Sequence, residues 1–458
     1  MFKRLLVANR GEVAVRIARA CRALGIAPVG VASEADLGAS WIQAFDEVVC
    51  IGPASAAMSY LDAGRLVQAA LQTRCSALHP GWGFLAENAR FAALCAQHGL
   101  VFVGPRPGQM ELMGAKTPAK RAMRAVGLAL IPGSEEPLPD LESALRCARE
   151  IGFPVLLKAD SGGGGRGMRR CTSEVELREA FASARAEAEA AFGDGALYLE
   201  RYLTGGRHVE VQVLCDHFGQ GIHVGERECS VQRKHQKLLE ESPSPALAPA
   251  QRAELGAAAL RAALALGYTS AGTVEFLRAS DGELYFMEMN TRLQVEHPVS
   301  ELVSGLDIAA LQIRIAANER LPLAQSEVAL RGHAIETRIN AEDPEHDFRP
   351  SPGTLRAFEL PTDLGPGTVR VETHLVAGDT VSPHYDSLLA KVIAHAETRE
   401  LAIDTLLRAL SAARIEGVAT TVPLHRAVLA SEAFRAGRYD TSAIPGWPPA
   451  RAHARARI

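Results

Sequence analysis

Leu5-Leu-Val-Ala-Asn-Arg-Gly-Glu-Val-Ala-Val-Arg-Ile-Ala-Arg-Ala-Cys-Arg-Ala-Leu-Gly25 decides the fold class of this chain. The apolar run Leu5 to Ala8 has the length of a buried strand, and Asn9-Arg-Gly11 reads as a turn. From Glu12 to Leu24, Val13, Ile17, Ala20, Cys21 and Leu24 recur at helical spacing, and Gly25 supplies the stop. Pro28 to Ala32 is a second strand. Strand, helix, strand is a βαβ unit, the start of a parallel sheet. The alternation continues to about Val101-Phe-Val103, so residues 1–113 are expected to form one α/β domain. A dinucleotide fold is the competitor. Its Gly-x-Gly-x-x-Gly turn is missing, because Asn9-Arg-Gly-Glu-Val-Ala14 holds one glycine.

Outward from this unit, a helical link over 114–130 is expected from the pattern between Met110 and Val126. Pro and Gly cluster between Ile131 and Pro139, a boundary signal. A small α/β unit over 131–203 follows, with strands at Pro154–Lys158 and Leu197–Glu200 and a helix from Glu174 to Ala191. Strands then dominate 204–446, beginning with His208–Leu214 and Ile222–Gly225. Helices are expected at Pro249–Ala265 and Asp307–Asn318, and a strand at Gly332–Ile339. The basic end, 447–458, is expected to be disordered. The fold class is thus mixed α/β and α+β. With 458 residues and 47% hydrophobic content, the chain holds enough for several cores. Its 49 basic and 53 acidic residues give no reason to expect nucleic acid or an anionic membrane as partner. Eight scattered cysteines without a Cys-x-x-Cys pair point to reduced thiols and a cytoplasmic location. The N-terminal apolar run is too short for a signal peptide, and no run reaches the roughly 20 residues of a spanning helix.

The densest chemistry lies in Glu288-Met-Asn-Thr-Arg-Leu-Gln-Val-Glu-His-Pro298, directly after the apolar run Leu284–Met287. Glu288, Asn290, Arg292, Gln294 and Glu296 recur at every second residue. In an extended chain all five face one side. Asp281-Gly282 is a two-residue hairpin signal. Flanked by Ser280 and Glu283, such a turn sets Glu275 opposite Glu288, with Cβ atoms roughly 5 Å apart. Uncompensated like charges at that distance destabilise a sheet, and a divalent cation removes the repulsion. A solvated carboxylate pair on an edge hairpin is the plain alternative.

Four other segments carry chemistry. Ser161-Gly-Gly-Gly-Gly-Arg-Gly167 follows Lys158, and its glycines allow main-chain N–H groups close to phosphate oxygens. It lacks the Lys-Ser/Thr of a Walker loop, since Met168-Arg169 follows. A flexible hairpin tip is the competing reading. Glu226 to Lys237 is a charged run in which Arg233, Lys234, His235 and Lys237 suit a triphosphate; a solvated helix face is the alternative. His79-Pro-Gly-Trp-Gly-Phe84 is a tight loop that presents Trp82, either to a ligand or to a core. Gly332 to Asn340 reads as a strand with Glu336, Arg338 and Asn340 on one face.

These motifs in this order resemble biotin carboxylase, an ATP-grasp enzyme. The matching residues are Asn9–Glu12, His79–Gly81, Gly83–Leu85, Lys116, Lys158, Gly162–Met168, Arg207–Glu210, Gln232-Arg233, His235–Lys237, Glu288–Pro298, Arg338–Glu342, Pro350–Gly353 and Tyr385–Ser387. They span about residues 1–445. The resemblance implies an N-terminal parallel-sheet domain, an ATP-grasp lid and a mixed C-terminal domain. It implies a ligase that makes carboxyphosphate from ATP and bicarbonate and carboxylates N1′ of biotin on a carrier protein. The ATP-binding residues so implied are Lys116, Lys158, Gly163, Gly164, Gly165, Gly167, Met168, Glu200 (through its backbone), Arg201, Leu203, His208, Gln232, His235, Glu275 and Glu288. Mg²⁺, or Mn²⁺ in its place, would be held by Glu275 and Glu288 with Asn290 beside them. Lys237, Arg292, Gln294 and the Val295 backbone would bind bicarbonate. Glu296 would be the base, with Arg338, Arg292 and Lys237 completing the catalytic set. Trp82 and Arg338 would line the biotin side.

The chain departs from the family pattern in places. Trp82 stands where Tyr is usual, Trp41 for His, Phe45 for Ala, Thr421 for Asn and Arg201 for Lys. Arg201 keeps the charge near the adenine, and the other departures bear on the acceptor side and the partner surface rather than on ATP chemistry. No Ala-Met-Lys-Met biotinylation motif is present, so the carrier and the carboxyltransferase are expected on other chains, with this chain a homodimer. Acetyl-CoA carboxylase, in fatty acid synthesis, is the expected setting. Alternatives are the subunit of another acyl-CoA, pyruvate or urea-type carboxylase, a different ATP-grasp carboxylate–amine ligase, or a degenerate nucleotide-binding paralogue.

Overall fold

The computed structural model describes residues 1–160 and 168–448. The expected phosphate-loop glycines Gly163, Gly164, Gly165 and Gly167 lie outside the described residues, as does the chain from 449 onward. Trp447 is described and packs against the C-terminal core.

The N-terminal unit is a five-stranded parallel sheet. Its strands are β1 (Arg4–Val7), β2 (Ala27–Ala32), β3 (Glu47–Cys50), β4 (Ala77–His79) and β5 (Val101–Phe102), in the order β3-β2-β1-β4-β5. Leu5, Leu6 and Val7 are all buried, as a central strand covered on both faces requires. The first helix, α1 (Gly11–Ala23), buries Val13, Ile17, Ala20 and Cys21, the stripe read from the sequence. Helices α2 (Ala63–Gln72) and α3 (Ala89–Gln97) follow, capped by the side chains of Asp62 and Asn88. The expected single helical link is two helices, α4 (Pro107–Gly114) and α5 (Lys116–Ala125), broken at the extended residue Ala115.

The next unit holds α6 (Leu141–Ile151), β6 (Val155–Ala159), β7 (Arg169–Cys171), α7 (Glu174–Phe192) and β8 (Leu197–Arg201). Its strands form an antiparallel sheet in the order β7-β6-β8. Leu145, Leu157, Leu177 and Leu199 close a small core of its own.

The rest is built on an eight-stranded antiparallel sheet. Its members are β9 (Arg207–Cys215), β10 (Gly221–Arg233), β11 (Gln236–Ser242), β12 (Ser270–Arg278), β13 (Leu284–Asn290), β14 (His333–Asn340) and strands at Leu388–Ala396 and Thr368–Thr373. The order is β13-β12-β9-β10-β11-β14, then the 388–396 and 368–373 strands. Helix α8 (Pro249–Ala265) packs on one side, with Leu255, Ala259 and Ala262 against Val209, Val211 and Val213. Helix α9 (His297–Ser304) packs Val299 and Val303 on Ala334 and Ile393.

Three local readings are corrected here. The charged run 226–237 is no helix face: β10 continues through it to Arg233, and the chain turns at Lys234 and His235, both at positive φ (47° and 66°). Glu226, Arg227 and Glu228 are buried in the sheet. The β12–β13 turn is one residue longer than Asp281-Gly282, because the Ala279 N–H bonds the Glu283 carbonyl at 2.8 Å around Ser280, Asp281 and Gly282. Near the turn Arg278 pairs with Leu284 and Phe276 with Phe286, and a bulge at Met287 then restores Glu275 opposite Glu288. The strand ends at Asn290, so Arg292, Gln294 and Glu296 do not share an extended face.

Candidate active site

One row of side chains crosses four strands. Arg227 on β10 pairs with Glu210 on β9, Glu210 with Glu275 on β12, and Glu275 with Glu288 on β13. Three carboxylates in line repel each other unless cations intervene. Arg227 Nε donates to Glu210 Oε1 at 2.6 Å, and its other nitrogens bond Gln212, Thr273 and Ser300. Lys237 from β11 reaches over the row. Its ammonium donates to Glu210, to Glu275 at 3.0 Å and to Glu296 at 2.6 Å. Burial lowers the Lys237 pKa, but these three carboxylates more than offset it, and the amine is held well above its ordinary value. His208 Nε2 lies 3.0 Å from Glu275.

The segment after Asn290 converges on the same place through bends rather than as a strand. Asn290 Nδ2 donates to Glu275 at 2.7 Å, and Gln294 Nε2 to the same oxygen at 3.2 Å. Arg292 donates to Asn290 Oδ1 and Gln294 Oε1, each at 3.0 Å, and to Glu87 at 2.9 Å. Glu296 then stands at the N-cap of α9, with proline in the first turn. A carboxylate there faces the positive end of the helix dipole. Arg338 from β14 donates to Glu296 Oε2 at 2.8 Å. Burial pushes the Glu296 carboxyl up, but Lys237, Arg338 and Arg227 more than offset it, and its pKa lies well below the ordinary value. Glu296 is therefore an ionised, fully buried carboxylate able to accept a proton.

Glu288 is the odd member of the row: its side chain makes no hydrogen bond or ion pair among the described residues, although its backbone pairs with Glu275 in the ladder. Burial and the facing Glu275 push its pKa up. Lys116 and Lys158 pull it the other way without offsetting this, and a half-buried carboxylate opposite a second carboxylate and beside an amide fits a divalent cation.

Among the residues expected to bind nucleotide, Lys116 opens α5 and Lys158 lies on β6. Lys158 and the buried Lys120 both pair with the Glu200 carboxylate. The resemblance gave Glu200 a backbone role; its side chain here also holds two ammoniums. Burial and the neighbouring Lys116 lower the Lys158 pKa to about 8. Arg201 turns away to the Ile151 carbonyl (3.1 Å), so its guanidinium does not join this group. Met168, Leu203 and Gln232 are half-buried, and His235 is exposed at the hairpin tip. Trp82 packs its ring on the N-terminal core, while its carbonyl accepts from Asn9 Nδ2 at 2.8 Å. Gly81 (φ 67°) lies against Asn9, where a Cβ would meet the Asn9 amide at 2.9 Å.

Sequence reasoning gave no role to Glu210 and Arg227, although both lie in stretches it singled out, and it missed Glu87, Lys120 and Glu240. His208, Glu210 and Gln212 alternate along β9, a period-2 polar pattern in a buried strand that marks a site face. For Arg227, Glu87, Lys120 and Glu240 no local signal exists, because their partners are far away in sequence.

Comparison with known proteins shows the family. The biotin carboxylase N-terminal domain matches residues 1–110. The ATP-binding domain of the carbamoyl-phosphate synthase L chain matches 115–324, and the biotin carboxylase C-terminal domain matches 336–445. A biotin carboxylase from Nostoc sp. is 48% identical over 443 residues, covering 97% of this chain and 98% of that one. A pyruvate carboxylase subunit from Methanothermobacter thermautotrophicus is 46% identical, covering 96% and 89%. The biotin carboxylase domain dimer of the Hydrogenobacter thermophilus 2-oxoglutarate carboxylase, solved with MgADP, ADP and bicarbonate, superposes with a TM-score of 0.93 at 48% identity, covering 96% of each chain. Matched over nearly its whole length by all three kinds of comparison, this chain belongs to the biotin carboxylase family of ATP-grasp ligases.

Proposed function

We propose that this chain uses ATP and bicarbonate to carboxylate biotin carried by a separate protein. One observation carries the reading: Glu296, Lys237, Arg338, Arg292 and Gln294 converge beside the Glu275/Glu288 pair. Bicarbonate is a small planar anion. Arg292, the Gln294 amide and the Val295 backbone hold it, and Glu296 takes its proton. The bicarbonate oxygen attacks the γ-phosphorus, the bond to the β-phosphate oxygen breaks, and carboxyphosphate and ADP result. Lys237 leaves its three carboxylates for the γ-phosphate. Losing that cation raises the basicity of Glu296 when the base is needed. Glu275 and Glu288, with Asn290 beside them, would hold Mg²⁺, which would supply charge neutralisation to the phosphates. Lys116, Lys158, Glu200, His208, Gln232 and His235 line the nucleotide, together with Arg201, Leu203, Met168 and the loop glycines. Carboxyphosphate splits into CO₂ and phosphate, the phosphate takes the proton from biotin N1′, and N1′ of the resulting enolate, stabilised by Arg338, captures the CO₂ while Trp82 borders the biotin side.

The division into 1–113, 114–130, 131–203 and 204–446 belongs to the same proposal. We place the chain in a cytoplasmic acetyl-CoA carboxylase, as a homodimer working with a separate carrier protein and carboxyltransferase. No helix among the described residues is long and apolar enough to cross a membrane. The test is ADP release with and without bicarbonate and free biotin. Turnover that requires bicarbonate and rises with biotin is expected, and a rate indifferent to bicarbonate overturns the reading. Pairing the chain with its carrier and carboxyltransferase, and offering acetyl-CoA, pyruvate or 2-oxoglutarate, then decides the acceptor.

A further inference from the structure

Behind Arg338 lies a pair of carboxyl groups to which the reaction above gives no task. Glu240 on β11 and Glu336 on β14 are register partners, so their side chains stand side by side on one sheet face. Both are fully buried. Arg338 and Lys391, also register partners, share that face, and α9 covers it. Arg338 Nε donates to Glu240 Oε1 at 2.7 Å. Glu240 Oε2 and both oxygens of Glu336 have no hydrogen-bond partner among the described residues. Glu336 thus sits between an apolar wall, Ala334 and Ile393 beneath Val299 and Val303, and a second carboxyl group. Two ionised carboxylates there would repel with little solvent to screen them, whereas one proton between them satisfies both.

We propose that Glu336 is a neutral carboxylic acid that donates its O–H to the free oxygen of Glu240, and is thereby a positioning residue for Arg338. With Glu240 fixed and ionised, the Arg338 guanidinium is pinned between Glu240 and Glu296. When Glu296 becomes protonated, Arg338 loses one anionic partner but keeps its place through Glu240. The charged groups around the pair agree with this assignment. Burial, Glu240 and Glu296 push the Glu336 carboxyl well above its ordinary value, against the pull of Lys391 and Arg338. Burial and Glu296 push Glu240 up to about 7, with Arg338 and Lys237 opposing.

The assignment rests on the carboxylation reading above for its kinetic consequence, but not for its protonation state, so two measurements separate them. Glu336→Gln keeps an N–H donor and is expected to hold biotin-dependent kcat within about threefold. Glu336→Leu leaves the Glu240 oxygen orphaned, and kcat is expected to fall about tenfold or more with the ATP KM nearly unchanged. Equal losses in the two variants, or no loss in Glu336→Leu, would overturn the proposal. Should Glu336→Leu fail to fold, infrared difference spectra of the intact wild-type protein and Glu336→Gln still decide. A protonated carboxyl band present in the wild type at neutral pH and missing from Glu336→Gln supports it, and no such band in the wild type refutes it. Wild-type protein without bicarbonate-dependent turnover would instead sink the functional reading and leave the infrared result standing.

Discussion

At the scale of the residue, Glu296 shows how much a carboxylate depends on what surrounds it. Alone and buried it would hold its proton; beside Lys237 and Arg338 it is ionised in the resting state. We expect Glu296→Ala to lower bicarbonate-dependent turnover about 100-fold or more. Nucleotide affinity, measured by calorimetry, should stay within a few-fold of wild type. A variant with wild-type turnover would remove Glu296 from the role of base. Trp82 tests the opposite side of the cleft. Its ring packs on the core with Nε1 buried and unpartnered, so tyrosine is expected to alter the surrounding loop. We expect Trp82→Tyr to change the apparent affinity for biotin more than that for ATP. Equal changes in both would make Trp82 purely structural. Glu296, Arg292 and Arg338 were legible in the sequence because they sit in one short motif or one strand. Glu210 was given no role of its own, although it contacts Lys237 directly, because that role appears only when β9, β10 and β12 are laid side by side.

At the scale of the element, the β12–β13 hairpin shows a sequence reading that reached the right pairing by two offsetting errors. The Asp281-Gly282 signal placed a turn, but the turn took a third residue, which shifts the register by one. A bulge at Met287 shifts it back before Glu288. Turn chemistry is local and visible in composition; a bulge depends on how the strand packs against α5 and β12, which no short window contains. A second element-scale device is the clip at the end of β11, an interior strand of the sheet. Glu241 on β11 accepts from Arg399 through both nitrogens (2.6 and 2.9 Å), contacts His333 at 2.7 Å and accepts from Tyr439. Arg399 in turn donates to the carbonyls of Phe434 and Arg435, fastening the C-terminal segment to the sheet. Burial pushes the Glu241 pKa up, but His333 and Arg399 pull it down to about 2. A depressed folded-state pKa stabilises at pH above the unfolded value, near 4.5, and that contribution fades as pH falls towards 2. We expect Glu241→Gln to destabilise the protein by roughly 3 kcal/mol at neutral pH, read from urea unfolding. The gap from wild type should narrow below about pH 4. A gap that is constant from pH 7 to pH 3 would assign the loss to shape rather than to charge.

At the scale of the whole molecule, the site exists only where three distant parts of the chain meet, and Lys391 is the joint. It is fully buried on the Leu388–Ala396 strand. Its ammonium lies 2.9 Å from Glu12 on α1 and donates at 2.9 Å to the carbonyl of Val295, in the segment that delivers Glu296. The first helix, the segment proposed to hold bicarbonate and the C-terminal strand thus share one cation. Its importance could not be read from sequence, since a lysine in Leu-Ala-Lys-Val-Ile looks like an outward-facing residue of an alternating strand. Burial raises the Glu12 pKa, so Glu12 depends on Lys391 to stay ionised. Removing one member of a buried ion pair leaves the other charge uncompensated, which typically costs about 3–5 kcal/mol. Lys391→Met is therefore expected to lower the urea midpoint sharply and to reduce turnover, because the Val295 carbonyl is released as well. In the double variant Glu12→Leu/Lys391→Met no charge is stranded, and most of the stability should return. Turnover should not, since the hydrogen bond to Val295 is still missing. Recovery of both would mean that Lys391 acts through stability alone, and recovery of neither would mean that the two residues are not coupled.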